Sequence, residues 1–173
     1  MKYIPYLKYL KKLKGLKMID KEIKDLVVEA QNQWAQYVIN LGAQDIDGDK
    51  INSLMEKFLD DLYAFRISDV LFKPTKASIK QFRLTKEDFK SYFIANNNLH
   101  NEDKGFALEP WKEIIFDIFN IIKVDREIIS MGNYHFKNFK GNKIKVEYTF
   151  GYILDDMGKL RINLHHSSLP FKI

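Results

Sequence analysis

Apolar residues recur at helical spacing from Ile23 to Leu41: Ile23, Leu26, Val27, Ala30, Trp34, Tyr37, Val38 and Leu41 fall on one face, between an N-cap at Asp20 and a stop at Gly42. This spacing predicts a long amphipathic first helix. A second is predicted from about Lys50 to Ala64, capped by Asp49, with Ile51, Leu54, Met55, Phe58, Leu59 and Leu62 on its apolar face. From Val70 onward the period changes. Pro74 keeps Lys73 out of the helical region, so Val70 to Thr75 reads as extended. Thr85 and Asp88 make a capped start for a short helix leading to Ser91, Tyr92 and Phe93. Strands are predicted around Trp111 to Asn120, Ile128 to Phe136, Lys143 to Ile153 and Lys159 to Leu169, with Asp155 to Gly158 as the last hairpin turn. Helices first and antiparallel strands after them describe an α+β domain, a curved sheet folded around the first helix.

With 173 residues, 46% of them apolar, the chain has enough material for one domain with a real core and too little for two. The formal charge of +5 does not mark a nucleic-acid surface, because Lys2, Lys8, Lys11, Lys12, Lys14 and Lys17 crowd the first stretch with no acid among them. Residues 1–17 therefore read as a basic extension and 18–173 as the domain. That extension could form an amphipathic helix on a membrane surface or an acidic partner, but a loosely ordered tail ahead of Met18 is the simpler expectation. No segment forms a secretory h-region or approaches a membrane span, so a cytoplasmic protein without a transmembrane segment is expected.

Cysteine is absent, so a metal would have to sit on His, Asp or Glu. Asp45, Asp47, Asp49, Ser53 and Glu56 follow the ligand spacing of a calcium loop, yet Lys50 stands where its sharp turn needs glycine, and the second helix needs Ile51 to Glu56. The close of the last strand, His165-His166-Ser167-Ser168, puts four polar groups where a buried strand would carry apolar ones, and this implies a small polar pocket. By simple alternation Ile144, Val146, Tyr148, Phe150 and Tyr152 share a face with Leu160, Ile162, Leu164, His166 and Ser168. The opposite face then carries Lys145, Glu147, Thr149, Arg161, Asn163, His165 and Ser167, with Glu147 and Arg161 either supporting the pocket or forming a surface pair. Unless a bulge intervenes, the adjacent histidines point to opposite sides and cannot share a metal, and neither His100 nor His135 has a partner at ligand spacing. Neither serine sits in a nucleophile elbow.

Several segments occur in an order that resembles the iota-class carbonic anhydrases. They are Val70 to Ala77, Phe82 to Thr85, Ser91 to Phe93, Gly105 to Leu108, Pro110-Trp111, Met131 to Tyr134, Val146 to Tyr152 and His165 to Pro170. The resemblance covers the chain from about Met18 to its end. It implies a cone-shaped fold similar to nuclear transport factor 2, of the SnoaL-like type and close to the calmodulin-dependent kinase association domain, paired as a homodimer. It also implies reversible hydration of carbon dioxide to bicarbonate and a proton. Both metal-free and manganese-using members are described in that family, and the lack of a three-histidine site here favours the metal-free branch with no cofactor.

Carried over by position, the family's pocket falls on Thr75, Tyr92, His165 and Ser167, with Thr75, Tyr92 and Ser167 holding bicarbonate. This choice disagrees with the simple alternation, which turns His166 and Ser168 inward. Without a metal to acidify water, the pocket has to orient a water and meet the growing negative charge with hydroxyl donors. Tyr92 and Ser167 are expected to position the water and His165 to pass the proton on, since histidine titrates near neutrality. The alternative is a non-catalytic ligand-binding or oligomerisation module on the same fold, for which loss of the pocket hydroxyls or histidines would be the sign. None is lost.

Overall fold

The computed structural model describes residues 20–43 and 47–172. The lysine-rich extension expected over residues 1–17 lies outside them. Helix α1, Lys21–Leu41, starts at Asp20, whose side chain accepts from the Glu22 amide, and ends at Gly42. Its buried stripe, Val27, Ala30, Trp34, Val38 and Leu41, is the one the spacing predicts. Helix α2, Gly48–Leu62, begins two residues before the expected start. Its cap is Asp47, which accepts from the Lys50 amide at 2.9 Å, and not Asp49. Asp49, Ser53 and Glu56 are thereby spent within the helix, and Ser53 Oγ donates to the Asp49 carbonyl.

Helix α3, Lys86–Ile94, is held by a reciprocal cap: Thr85 Oγ1 accepts from the Asp88 amide and Asp88 accepts from the Thr85 amide. A cap of this kind contributes about 1 kcal/mol, and here it sets the pitch at which Tyr92 leaves the helix. A single 3₁₀ turn, Phe106–Leu108, follows.

The described residues hold five strands, the first ahead of α3 and the rest after it: β1 (Leu71–Lys73), β2 (Trp111–Val124), β3 (Glu127–Asn138), β4 (Lys143–Leu154) and β5 (Leu160–Ser168). They form one sheet in the order β1-β5-β4-β3-β2. All neighbours are antiparallel except β1, which runs parallel to β5 with Phe72 opposite His165. The four long strands are antiparallel as expected, and the segment expected only to be extended adds a short parallel edge. β2 runs four residues further than expected, to Val124, because its hairpin with β3 closes only at Asp125, and at the other end β3 runs two residues further, to Asn138, which pairs with Trp111.

The inner face of the sheet wraps α1, with Trp34 at the centre. Its indole meets the rings of Phe58, Phe93, Phe116, Tyr134, Phe136, Phe150 and His165. The fully buried phenylalanines among them, Phe58, Phe93, Phe136 and Phe150, each contribute about 1.5–3 kcal/mol through lost apolar surface, and edge-to-face contacts add to this.

The simple alternation along β5 fails at one residue. Gly151 pairs with Leu164 and Tyr152 with Ile162, so Asn163 has no partner and forms a β-bulge. Beyond it the parity reverses. His165 and Ser167 are buried with Phe150 and Tyr148 opposite them, while His166 is exposed on the outer face. Ser168 also turns away, donating to Glu147. Arg161, before the bulge, pairs with Asp155 rather than with Glu147.

Candidate active site

Between α1, α3, the loop after β1 and the end of β5 lies a cavity of about 10 Å³, lined by Trp34, Phe72, Pro74, Thr75, Tyr92, Phe93, Phe106, Tyr134, His165 and Ser167. That is the space of about one water. Each polar wall residue has a local reason to be there. Pro74 keeps the chain extended beyond β1 and presents Thr75. The capped α3 turns Tyr92 inward on its second turn, and the bulge at Asn163 turns His165 and Ser167 inward.

The polar groups form a continuous chain. Trp34 Nε1 donates to Tyr63 Oη at 3.0 Å, and Tyr63 Oη lies 2.9 Å from His165 Nδ1. His165 Nε2 lies 3.0 Å from Ser167 Oγ, which is hydrogen-bonded in turn to Tyr134 Oη. Thr75 stands beside the hydroxyls of both Tyr92 and Tyr134 and opposes the rise in their pKa values that burial causes. The Lys76 amide donates to Tyr92 Oη at 3.4 Å.

Burial dominates the electrostatics. It pushes the phenols of Tyr92 and Tyr134 far above 10, and that of Tyr63 likewise. It holds His165 well below 6.5, with the neighbouring His166 adding to the effect. At neutral pH every group in the wall is therefore uncharged, and the hydroxyls are hydrogen-bond donors rather than bases. A proton carried on His165 near neutrality, as the residue type suggests, does not agree with this environment.

All four expected pocket residues, Thr75, Tyr92, His165 and Ser167, line the one cavity. Tyr134 and Tyr63 are additions that sequence reasoning did not assign, because an aromatic on a buried stripe reads as core. A signal was present for Tyr134, whose position in β3 has the inward parity of Phe136 and Ser130. His100 bonds to Asp88 at 2.7 Å, away from the cavity, and His135 lies on the exposed side of β3. Among the described residues, no three His, Asp or Glu side chains come together as a metal site.

Beside the cavity lies a larger recess of about 330 Å³ that shares Tyr92 and Phe106 with it and adds Lys76, Glu102, Lys104 and Glu109. Its rim is braced by Arg83, fully buried, whose guanidinium forks onto Asp103 at 3.0 and 3.1 Å and reaches Glu102 at 3.4 Å. Asp103 also accepts from Ser91 on α3, so the loops bearing Lys76 and Phe106 are tied to the helix that carries Tyr92.

A family profile described as metal-independent carbonic anhydrase matches residues 25–169. The chain belongs to the metal-independent carbonic anhydrases. A relative from Nostoc sp. named metal-independent carbonic anhydrase is 36% identical over 149 residues, covering 84% of this chain and 73% of its own. The crystal structure of an iota-carbonic anhydrase from a cyanobacterium, complexed with bicarbonate, superposes with a TM-score of 0.81 at 34% identity, covering 86% of this chain and 93% of that one. An NTF2-like protein from Cytophaga hutchinsonii, 12% identical, aligns with a TM-score of 0.56 over 87% of this chain and 99% of its own, and shares the fold alone. This carbonic anhydrase is thus of the iota class on an NTF2-like fold. Among its described residues no helix is long and apolar enough to cross a membrane.

Proposed function

We propose that this carbonic anhydrase hydrates carbon dioxide in the cavity walled by Thr75, Tyr92, Tyr134, His165 and Ser167. The observation that carries the proposal is the convergence of four hydroxyls and an apolar aromatic wall on a space the size of one water. The cavity has room for the attacking water alone, and carbon dioxide, which has no net dipole, is received against the Phe106 ring that the cavity shares with the adjoining recess. Tyr92 and Ser167 hold a water against its carbon. As the water oxygen bonds to carbon, negative charge grows on the carbon dioxide oxygens and is met by hydroxyl hydrogens of Thr75, Tyr92 and Ser167. The surplus proton of the attacking water leaves to solvent water in the adjoining recess, and bicarbonate follows by the same route. Because burial keeps Tyr92 and Tyr134 protonated, these donors persist across the neutral range. His165 acts through Ser167, which it holds in place.

Pairing of two copies into a homodimer is part of the same proposal, supported by the exposed apolar side chains Ile115, Ile122 and Met131 on the outer side of β2 and β3. Sedimentation at micromolar concentration tests it.

The deciding experiment for the site is stopped-flow hydration of carbon dioxide before and after exhaustive chelation, with Tyr92→Phe and Ser167→Ala alongside. Activity should survive the chelator and fall about a hundredfold in each variant, the usual cost of a lost transition-state donor. Restoration only by manganese would overturn the metal-free mechanism. Absence of activity in either state would favour the binding module.

A further inference from the structure

We infer that Tyr63 is a positioning residue that fixes His165 as the neutral tautomer with its proton on Nε2, and so makes the hydroxyl pair of Ser167 and Tyr134 end in a hydrogen donor toward the cavity. The inference rests on the reading of that cavity as the hydration site.

The direction of the chain follows from what each group can do. An indole nitrogen only donates, so Tyr63 Oη accepts from Trp34 Nε1. Among the described residues the hydrogen of Tyr63 then has one acceptor within reach, His165 Nδ1 at 2.9 Å. If Nδ1 carried the proton, Tyr63 would accept from both sides and its own hydrogen would be left without a partner in a fully buried position, which is costly. An imidazolium fails for the same reason. Nδ1 is therefore the acceptor, and Nε2–H donates to Ser167 Oγ at 3.0 Å.

Ser167 cannot return its hydrogen to His165. Either that hydrogen faces the cavity while Tyr134 donates to Ser167, or it goes to Tyr134, whose own hydrogen is passed on toward Thr75 and the cavity. In both arrangements the chain that begins at Trp34 ends by presenting a donor. Such an end suits a bound anion, or the negative charge of a transition state, and leaves no lone pair on His165 to act as a base.

The test is long-range proton–nitrogen NMR of the protein labelled with ¹⁵N-histidine at pH 7.5, with the His165 signals identified by their loss in His165→Gln. The expected result is one protonated nitrogen, Nε2, with Nδ1 unprotonated and hydrogen-bonded. In Tyr63→Phe the Nδ1 resonance should shift as its donor is lost, and kcat for hydration should fall roughly tenfold while KM changes little. A wild-type ring protonated on Nδ1, or a Tyr63→Phe ring with unmoved nitrogen shifts, overturns the inference. Should Tyr63→Phe not fold, the wild-type spectrum decides alone. A wild-type protein with Nε2 protonated but no hydration activity would leave the tautomer assignment standing and remove the catalytic reading instead.

Discussion

Gly151 of β4 has no side chain where Asn163 of β5 needs the room: a Cβ built there would lie 2.9 Å from both Asn163 Oδ1 and Leu164 Cβ. The unpaired Asn163 is accommodated because its neighbour across the ladder is glycine. Two buried site residues depend on this contact, since the bulge sets the parity that carries His165 and Ser167 inward.

Deleting Asn163 should therefore keep His165 and Ser167 on the inner face, because Ile162, Leu164 and His165 would then alternate as an ordinary strand opposite Tyr152, Gly151 and Phe150. The protein should fold and retain measurable hydration activity, whereas the same deletion in a strand without a bulge would turn both residues outward and abolish it. Gly151→Val, by contrast, should cost about 1–3 kcal/mol through overpacking and lower activity together with stability. Urea unfolding and stopped-flow assays of the two variants decide the point. An inactive but folded deletion would sink it.

The elements were legible because periodicity and caps are local: the face of α1, the reciprocal cap of Thr85 and Asp88, and the final hairpin follow from residues a few positions apart. What escaped was set by distant or single-residue choices. Two aspartates two positions apart compete to cap α2, and with Asp47 as the cap the helix gains two residues and keeps Asp49 as an acid in its first turn. The parallel pairing of β1 depends on a partner more than ninety positions along the chain, and three residues are too short to announce it. The bulge is invisible to alternation, since one extra residue leaves no mark on composition. Tyr63 looks like part of an apolar stripe until Trp34 and His165 are seen on either side of its hydroxyl.

Tyr134→Phe should behave as a site variant although its ring is core. The ring keeps its stacking on Trp34 and Tyr148, so packing is preserved. What is lost is the hydroxyl shared with Ser167, at about 1 kcal/mol of stability. The rate of hydration should fall by about ten- to a hundredfold through misplacement of Ser167. Circular dichroism and thermal melting, read beside kcat, separate the two effects. A variant with unchanged kcat would remove Tyr134 from the working network.

Lys76 bears on the charged partner of the reaction. Its ammonium lies over the Phe106 ring, 5.9 Å from the centroid, at the recess that leads to Tyr92. Bicarbonate is an anion and carbon dioxide is not, so Lys76→Gln should raise KM for bicarbonate in the dehydration direction by about threefold, the size expected of an exposed charge. Since the overall equilibrium cannot change, kcat/KM in the two directions must fall by the same factor. The dependence of dehydration on ionic strength should also weaken. Equal KM values and equal salt dependence in wild type and variant would exclude a part for Lys76 in guiding the anion.

The buried histidine leaves a trace in the pH dependence of folding. Burial holds the His165 pKa well below 6.5 in the native protein, while the unfolded chain takes up a proton near 6.5. Between those two values the unfolded state binds more protons, so stability rises with pH there and is lost as pH falls below about 6.5, by up to about 1.4 kcal/mol per unit. Above 6.5 both states are neutral and the contribution is complete. His166 on the outer face, lowered by partial desolvation and by Lys73, adds in the same direction. Carboxylates whose native pKa values are lowered, such as Asp60, Asp88 and Asp155, begin to matter only near their unfolded values around 4, below this window. Urea midpoints taken from pH 7.5 to 5.5 should therefore fall for the wild type, and the slope should largely flatten in His165→Gln whatever its overall stability. A wild-type profile that is level across this range would mean that His165 takes up its proton in the native state as readily as in the unfolded chain, and that burial does not hold the cavity wall neutral.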